Sequence, residues 1–180
     1  MIIIAVTFLG LLGHTFAAAV TTAPPSMPTE CLELKGDIMS NFKANQFFTG
    51  DWYLTHARNP KHPTLCQKYQ AKPNLHLTFN GNDGKDVTCQ GAKVSGKEGF
   101  YSFECTTTSG QSFTSFMVVV ETDYDNYALL YRCGLYGTST TPEDNFLLFN
   151  RKSSGEIPTE LKAKLSQLDL NTSLTKLGCT

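Results

Sequence analysis

The chain carries almost no excess of either charge. Fifteen Lys and Arg residues face sixteen Asp and Glu across 180 positions, a formal net charge of -1, with no long basic run. Nucleic acid is thereby excluded as a partner, since its binding needs a basic face that displaces counterions. Long apolar runs are missing as well. A membrane-spanning helix takes about 20 apolar residues, and the one strongly apolar stretch is shorter and broken by Gly10, Gly13 and His14. Neither His-Glu-x-x-His nor Gly-x-Ser-x-Gly occurs, so the zinc-protease and serine-hydrolase signatures are absent. No two cysteines are closer than sixteen residues, which removes the Cys-x-x-Cys spacing of a structural zinc site. With every cysteine expected in a disulfide, His56, His62 and His76 have no thiol nucleophile to activate, and the chain reads as a binder with no reaction to perform.

What the chain does have begins with an address. Residues 1–19 run through Ile2, Ile3, Ile4, Val6, Phe8, Leu9, Leu11, Leu12 and Phe16 into Ala17-Ala18-Ala19, an apolar core followed by the small residues at which signal peptidase cuts. A secretory signal removed near residues 17–19 is expected, although no Lys or Arg precedes the apolar core. Residues 20–40 then form an N-terminal segment with a loose, proline-bearing start, and 41–180 form one domain around one core. Cys31, Cys66, Cys89, Cys105, Cys133 and Cys179 all follow the signal, so three disulfides are expected from the even count in an oxidising compartment.

Eight segments read as strands: 51–57, 66–71, 74–80, 86–94, 100–107, 111–121, 127–135 and 145–152. Their regular spacing and breaks at Lys72-Pro73, Asn80-Gly81 and Ser109-Gly110 predict an all-β fold, an eight-stranded antiparallel up-and-down barrel. Alternation of apolar residues is imperfect, as when both faces are partly covered. A barrel of this size has room for one small ligand. The clearest hairpin joins 86–94 to 100–107. Folded about Lys97, it sets Cys89 opposite Cys105, Gly91 opposite Phe103 and Lys93 opposite Tyr101, and directly opposed cysteines are within disulfide reach.

Two motif-like stretches carry nothing. Residues 91–97 fit a phosphate loop up to its last position, but Glu98 stands where magnesium needs Ser or Thr, and strands flank the loop. Residues 80–84 have the polarity of a calcium loop without its acidic first position or bidentate glutamate, so a turn is expected. Further on, a helix is expected over 158–170, where Leu161, Leu165 and Leu168 form one stripe that lies outside the barrel wall. Asn171-Thr172-Ser173, where the tail leaves that helix, is the one N-glycosylation sequon.

Taken together, these residues have a family likeness. Gly50-Asp51-Trp52-Tyr53, the segment Thr122-Asp123-Tyr124-Asp125-Asn126-Tyr127, and Arg151 past the last strand resemble the three signature regions of lipocalins. Adding Phe47-Phe48, Thr55-His56 and Cys66-Gln67-Lys68-Tyr69, the chain is similar over nearly its whole length to the salivary lipocalins of blood-feeding triatomine bugs, the triabin, pallidipin and procalin group. The resemblance implies Cys31–Cys133 and Cys66–Cys179 disulfides, leaving Cys89–Cys105 as the hairpin argument has it. It also implies structural roles for Gly50, Trp52, Asp123, Tyr124, Asn126, Tyr127 and Arg151, with Trp52 plugging the closed end under the Arg151 guanidinium.

Candidates to line the cavity are Tyr53, Phe79, Tyr101 and Phe103, with Phe116, Val118, Leu129 and Tyr131 on later strands; the parity of each strand is left open. Related insect lipocalins hold haem through a histidine directly before an aromatic residue. Here Thr78 occupies that place before Phe79, and His76 lies two residues earlier, so neither haem nor any other cofactor or metal is expected. The resemblance implies a secreted, monomeric salivary protein that impairs host haemostasis by sequestering a small hydrophobic or amphipathic mediator, an eicosanoid-like lipid being favoured. The alternatives are an inhibitor that binds a host coagulation protein, or a procalin-like allergen.

Overall fold

The computed structural model describes residues 27–34, 38–61, 66–81, 84–97, 99–136 and 139–179. The signal at 1–19 and the start of the N-terminal segment lie outside them. A short helix, α1 (Ala44–Phe47), leads into eight antiparallel strands: β1 (Gly50–Ala57), β2 (Gln67–Lys72), β3 (His76–Asn80), β4 (Asp86–Lys93), β5 (Phe100–Thr107), β6 (Ser112–Thr122), β7 (Tyr127–Leu135) and β8 (Glu143–Asn150). Each strand pairs with its chain neighbour, and β1 pairs with both β2 and β8, which closes the barrel and leaves no unpaired edge among the eight. The β4–β5 register sets Cys89 against Cys105, Gly91 against Phe103 and Lys93 against Tyr101, the pairing expected from the hairpin.

The closed end is assembled around Arg151. Its guanidinium lies 3.6 Å from the centroid of the Trp52 ring. Nη1 donates to the carbonyls of Thr49 (2.6 Å) and Asp51 (3.0 Å), while Nε and Nη2 both donate to Tyr124 O (3.1 and 3.0 Å). One planar cation thus ties the start of β1 to the β6–β7 turn from its seat beyond the end of β8. Gly50 suits the entry to β1 because its backbone is at φ +73°, a left-handed conformation that side-chain-bearing residues rarely adopt. Trp52 Nε1 in turn donates to Phe47 O at 3.0 Å, so α1 is held across the barrel floor. The turn itself is fixed by Asp123, whose Oδ1 accepts from the backbone of Asn126 (2.8 Å) and Tyr127 (3.0 Å) and whose Oδ2 accepts from Asn126 Nδ2 (2.8 Å).

Two apolar layers share the sheet. The inner one includes Phe47, Phe48, Trp52, Tyr69, Phe103, Val119, Leu130 and Phe149. The outer one sets Val118, Val120, Leu129, Tyr131, Phe146 and Leu148 beneath Leu34 and the C-terminal segment's Leu161, Leu165 and Leu170. This second layer explains the imperfect alternation in the sequence: the middle stretches of β6, β7 and β8 are covered on both faces, so apolar residues follow one another without alternation at 116–120, 127–131 and 146–149.

The C-terminal helix is shorter than the expected 158–170. A single 3-10 turn, Thr159–Leu161, runs into α2 (Lys162–Gln167). It stops because Asp169 enters the left-handed region at φ 55° and Leu170 N donates back to Leu165 O at 2.8 Å, a Schellman-type ending with an aspartate where glycine is usual. Leu168 is only partly buried against the outer layer, whereas Leu161 and Leu165 are fully buried. A two-residue strand not expected from the sequence, β9 (Thr175–Lys176), lies along β1.

Three disulfides complete the frame: Cys31–Cys133, Cys66–Cys179 and Cys89–Cys105. The first two span 102 and 113 residues and fasten the N-terminal segment and the tail to the barrel. In the chain-entropy account each such closure contributes about 4–5 kcal/mol by restricting the unfolded chain.

Removing the Arg151 side chain leaves three carbonyls and one aromatic face without their cation. Arg151→Ala is expected to lower the free energy of urea unfolding by about 2–4 kcal/mol, and Arg151→Lys to restore only part, since an ammonium cannot span the fork. Asp123 gives a pH signature. Partial burial pulls its carboxyl upward, but hydrogen bonds from Tyr127 N–H and from Asn126 outweigh this and hold its pKa below the ordinary value. A depressed folded-state pKa contributes stability that is present above the unfolded value, near pH ~4, and lost as pH falls through the folded one. Between about pH 5 and pH 3, Asp123→Asn is therefore expected to lose less urea-unfolding midpoint than the parent chain.

Candidate functional site

The barrel interior has two connected chambers. The inner one, above the Trp52 floor, is lined by eight aromatic rings, among them Tyr69, Phe79, Phe103, Phe113 and Phe149, with Met117, Leu77, Leu130, Leu147 and the Cys89–Cys105 sulfurs between them. It is narrow, with about 60 Å³ open to the centre of a water-sized sphere. The mouth, between the β1–β2, β3–β4, β5–β6 and β7–β8 connections, offers about 660 Å³ by the same measure and carries polar side chains among apolar ones: Asn59, Lys61, Gln67, Gln111, Glu143, Asp144 and Asn145. Phe79, Phe113, Arg132 and Leu147 line both chambers and mark the waist between them.

Inner rings are locked by one another. Tyr69 stacks on Phe79 at 4.3 Å between centroids and meets Phe149 edge-on at 4.9 Å. Phe103 is seated by a glycine on the neighbouring strand. A Cβ on Gly91, its cross-strand partner, would lie 2.5 Å from the Phe103 ring, so the ring lies flat over bare backbone.

Arg132 is the electrostatic centre of the cavity. It reaches inward from β7 beside the Tyr69 hydroxyl, and Tyr69 passes the polarity on, donating to Gln67 Oε1 (3.2 Å), whose own amide donates to Asn80 O (3.0 Å). Burial works against the Arg132 charge, yet its polar surroundings, the Glu143 carboxylate among them, raise its pKa, so the guanidinium is a permanent cation. Burial likewise pushes the Tyr69 hydroxyl up, keeping it neutral. Among the described residues no carboxylate stands within ion-pair distance of Arg132; the rim acids are engaged elsewhere, Asp144 with Arg58 (3.0 Å) and Glu143 with Lys61 (2.5 Å). The Tyr136 ring lies 5.8 Å from the guanidinium, and its hydroxyl is buried without a hydrogen-bond partner. The Arg132 cation, with no carboxylate in ion-pair contact, and the unpaired Tyr136 hydroxyl thus stand together in the cavity wall.

The structure divides the lining residues expected from sequence. Phe79 and Phe103 line the inner chamber. Tyr101 belongs to the inner layer but is packed at the closed end against Phe42 and Phe48, below the chamber. Phe116, Val118, Leu129 and Tyr131 are corrected to the outer face. Val119 and Leu130 belong to the inner layer, so strand alternation sends their neighbours Val118, Val120, Leu129 and Tyr131 outward, and Phe116 follows the parity of Val118 and pairs with the outer Cys133. Tyr131 serves as an outer strut there: Leu32 N donates to its hydroxyl (2.6 Å), which donates to Asp144 Oδ2 (3.0 Å). Tyr53 is also outside, half-exposed, with Lys68 Nζ 5.8 Å from its ring.

Sequence reading missed Arg132, Tyr69, Phe113, Met117, Phe149 and Tyr136. The available signal was Arg132 itself, the one charge within the otherwise apolar run 127–135. His76 is on the face of β3 opposite Leu77 and Phe79, away from the cavity. His62 lies outside the described residues. Asn171 is exposed on the turn after α2, where its Nδ2 donates to Ser166 Oγ (2.8 Å). Among the described residues no group of three His, Cys, Asp or Glu side chains is placed to hold a metal.

A closed eight-stranded barrel with a Trp–Arg floor, an external C-terminal helix and an interior cavity opening away from that floor defines a lipocalin. Comparison with known proteins narrows this: residues 22–164 match the family described as Triabin, and the chain belongs to that family. Triabin of Meccus pallidipennis is 32% identical over 162 residues, covering 87% of this chain and 94% of that protein. Triafestin-1 of Triatoma infestans is 31% identical over 185 residues, covering 91% and 86%. Among solved structures, LTBP1 in complex with leukotriene C4 is 68% identical, with a TM-score of 0.81 and coverage of 86% of this chain and 98% of that one.

Gly91→Ala tests how the chamber is shaped. The added methyl group drives the Phe103 ring toward the cavity axis, so affinity for any ligand that enters the inner chamber is expected to fall by about tenfold or more, read by titration calorimetry, while the three disulfides still form.

Proposed function

We propose that this chain is a secreted salivary lipocalin that sequesters a small acidic lipid mediator, of the cysteinyl-leukotriene class, and so opposes the host's vascular and haemostatic response. The observation that carries this reading is Arg132, an unpaired cation at the waist between an aromatic chamber and a polar mouth. An amphipathic acid fits that order of surfaces: hydrocarbon in the chamber, carboxylate on the guanidinium and Tyr136, polar substituents in the mouth. The leukotriene C4 complex of a protein 68% identical supports the choice of class, since that molecule joins an unsaturated fatty acid to a peptide. Secretion into saliva and action on haemostasis are supported by membership of the Triabin family, by the three disulfides and by the expected signal at 1–19. The protein is a binder in this reading, with no reaction and no cofactor.

Inhibition of a coagulation protein through the outer surface is the less favoured alternative. Such docking wants an exposed apolar patch, and Leu32, 44% exposed, is the one large hydrophobic side chain so placed among the described residues.

Titration calorimetry with leukotriene C4 checks the proposal. Saturable one-to-one binding is expected, and Arg132→Met should weaken it by about 10- to 100-fold, the worth of a charge-assisted hydrogen bond in a desolvated site. A parent chain that fails to bind leukotriene C4, or that binds biogenic amines or adenine nucleotides in its place, rules the class out; prolonged clotting times would favour the coagulation reading.

A further inference from the structure

The inner chamber has an unusual wall. Of its seventeen lining residues, eight are aromatic and three carry sulfur, against four aliphatic and two polar ones. The sulfurs are Met117 and the two of the Cys89–Cys105 disulfide, and both cysteines are almost fully buried, at 1% and 3% exposure. That disulfide differs from the other two in what it does for the fold. It joins adjacent strands already held by a seven-pair register, whereas Cys31–Cys133 and Cys66–Cys179 fasten segments that the barrel ladder does not hold. Topology does not require it. Its sulfurs instead belong to the cavity lining, in company with Phe103 and Phe113.

Sulfur and aromatic rings share one property, a polarisable electron cloud with directional preferences. Rings favour edge and offset contacts with other π systems, and sulfur makes favourable contacts at the edges of such systems. The chamber is also narrow and set by interlocked rings, so a chain that enters it is ordered. A saturated chain loses the freedom of every torsion on entry; a chain with fixed double bonds has fewer to lose. Both effects act in the same direction.

We propose that the Cys89–Cys105 disulfide is a ligand-contacting wall which, with Met117 and the surrounding rings, makes the inner chamber select an unsaturated over a saturated hydrocarbon chain. The inference deepens the reading of the site as a lipid-mediator pocket and rests on it. It assigns to the disulfide a part in specificity, separate from the anion contact at Arg132.

The test uses the full secreted chain and fatty acids of one length. Binding of cis-parinaric acid, an 18-carbon conjugated tetraene, is followed by its fluorescence, and stearic, oleic, linoleic and α-linolenic acids are used to displace it. All share one carboxylate, so Arg132 contributes equally to each. Affinity is expected to rise with the number of double bonds, with stearic acid about tenfold weaker than α-linolenic acid. Met117→Leu, which conserves volume while removing the sulfur, and the double variant Cys89→Ala/Cys105→Ala are each expected to reduce that ratio by about threefold. Met117→Leu carries the test even where the double variant fails to fold. Equal affinity across the series, or full discrimination retained in the variants, overturns the proposal. Leukotriene C4 is titrated in parallel. Binding of it with no selection among the 18-carbon acids sinks the selective wall and leaves the lipid-mediator reading standing; binding of none of these ligands sinks both.

Discussion

The barrel depends on a single cation placed where three chain segments meet. Arg151 brings its guanidinium against Trp52 and shares its donors among the carbonyls of Thr49, Asp51 and Tyr124. These carbonyls belong to the start of β1 and the β6–β7 turn, so one side chain ties the first strand to the far side of the sheet. A guanidinium suits the task because its donors lie in one plane and its face can stack on an aromatic ring. With the floor closed in this way, the wide mouth lies at the opposite end of the barrel.

From that floor outward the interior changes character in a fixed order. Interlocked aromatic rings and sulfurs come first, then a cation without a counterion, then a wide polar rim. Each layer follows from strand alternation acting on neighbouring residues. On β7 the same period that buries Leu130 in the inner layer brings Arg132 to the waist, and it sends Leu129 and Tyr131 outward beneath the C-terminal helix. The outer layer is more than scaffold, since Tyr131 links the N-terminal segment at Leu32 to Asp144, and Asp144 holds Arg58 at the mouth. Segment, sheet and mouth are thereby parts of one hydrogen-bonded frame.

Strand number and approximate bounds were legible because turns interrupt the chain at regular intervals and each strand carries its own apolar content. The β4–β5 register was legible for a stricter reason: a short loop fixes which residues stand opposite, and two cysteines fell into one such pair. The C-terminal helix was overextended, since the leucine stripe continues through Leu168 while the backbone has already turned at Asp169. β9 gave no periodic signal, being two residues long and paired with β1 beside the Cys66–Cys179 anchor.

The sequence by itself determined that the fold is an all-β barrel with an external helix, that its cysteines are even in number and all follow the expected signal, and that Gly50, Trp52 and Arg151 carry a lipocalin signature. These are properties of composition, local spacing and short-range pairing. Only the tertiary structure decided which face of each strand looks into the cavity. A strand buried on both sides has no polar face to betray its parity, and a bulge such as the one after Val119 reverses the count without leaving a mark in the residues. For the same reason Arg132 became the centre of the site only when the barrel closed, because a charge acquires its meaning from the absence of a partner in the space around it.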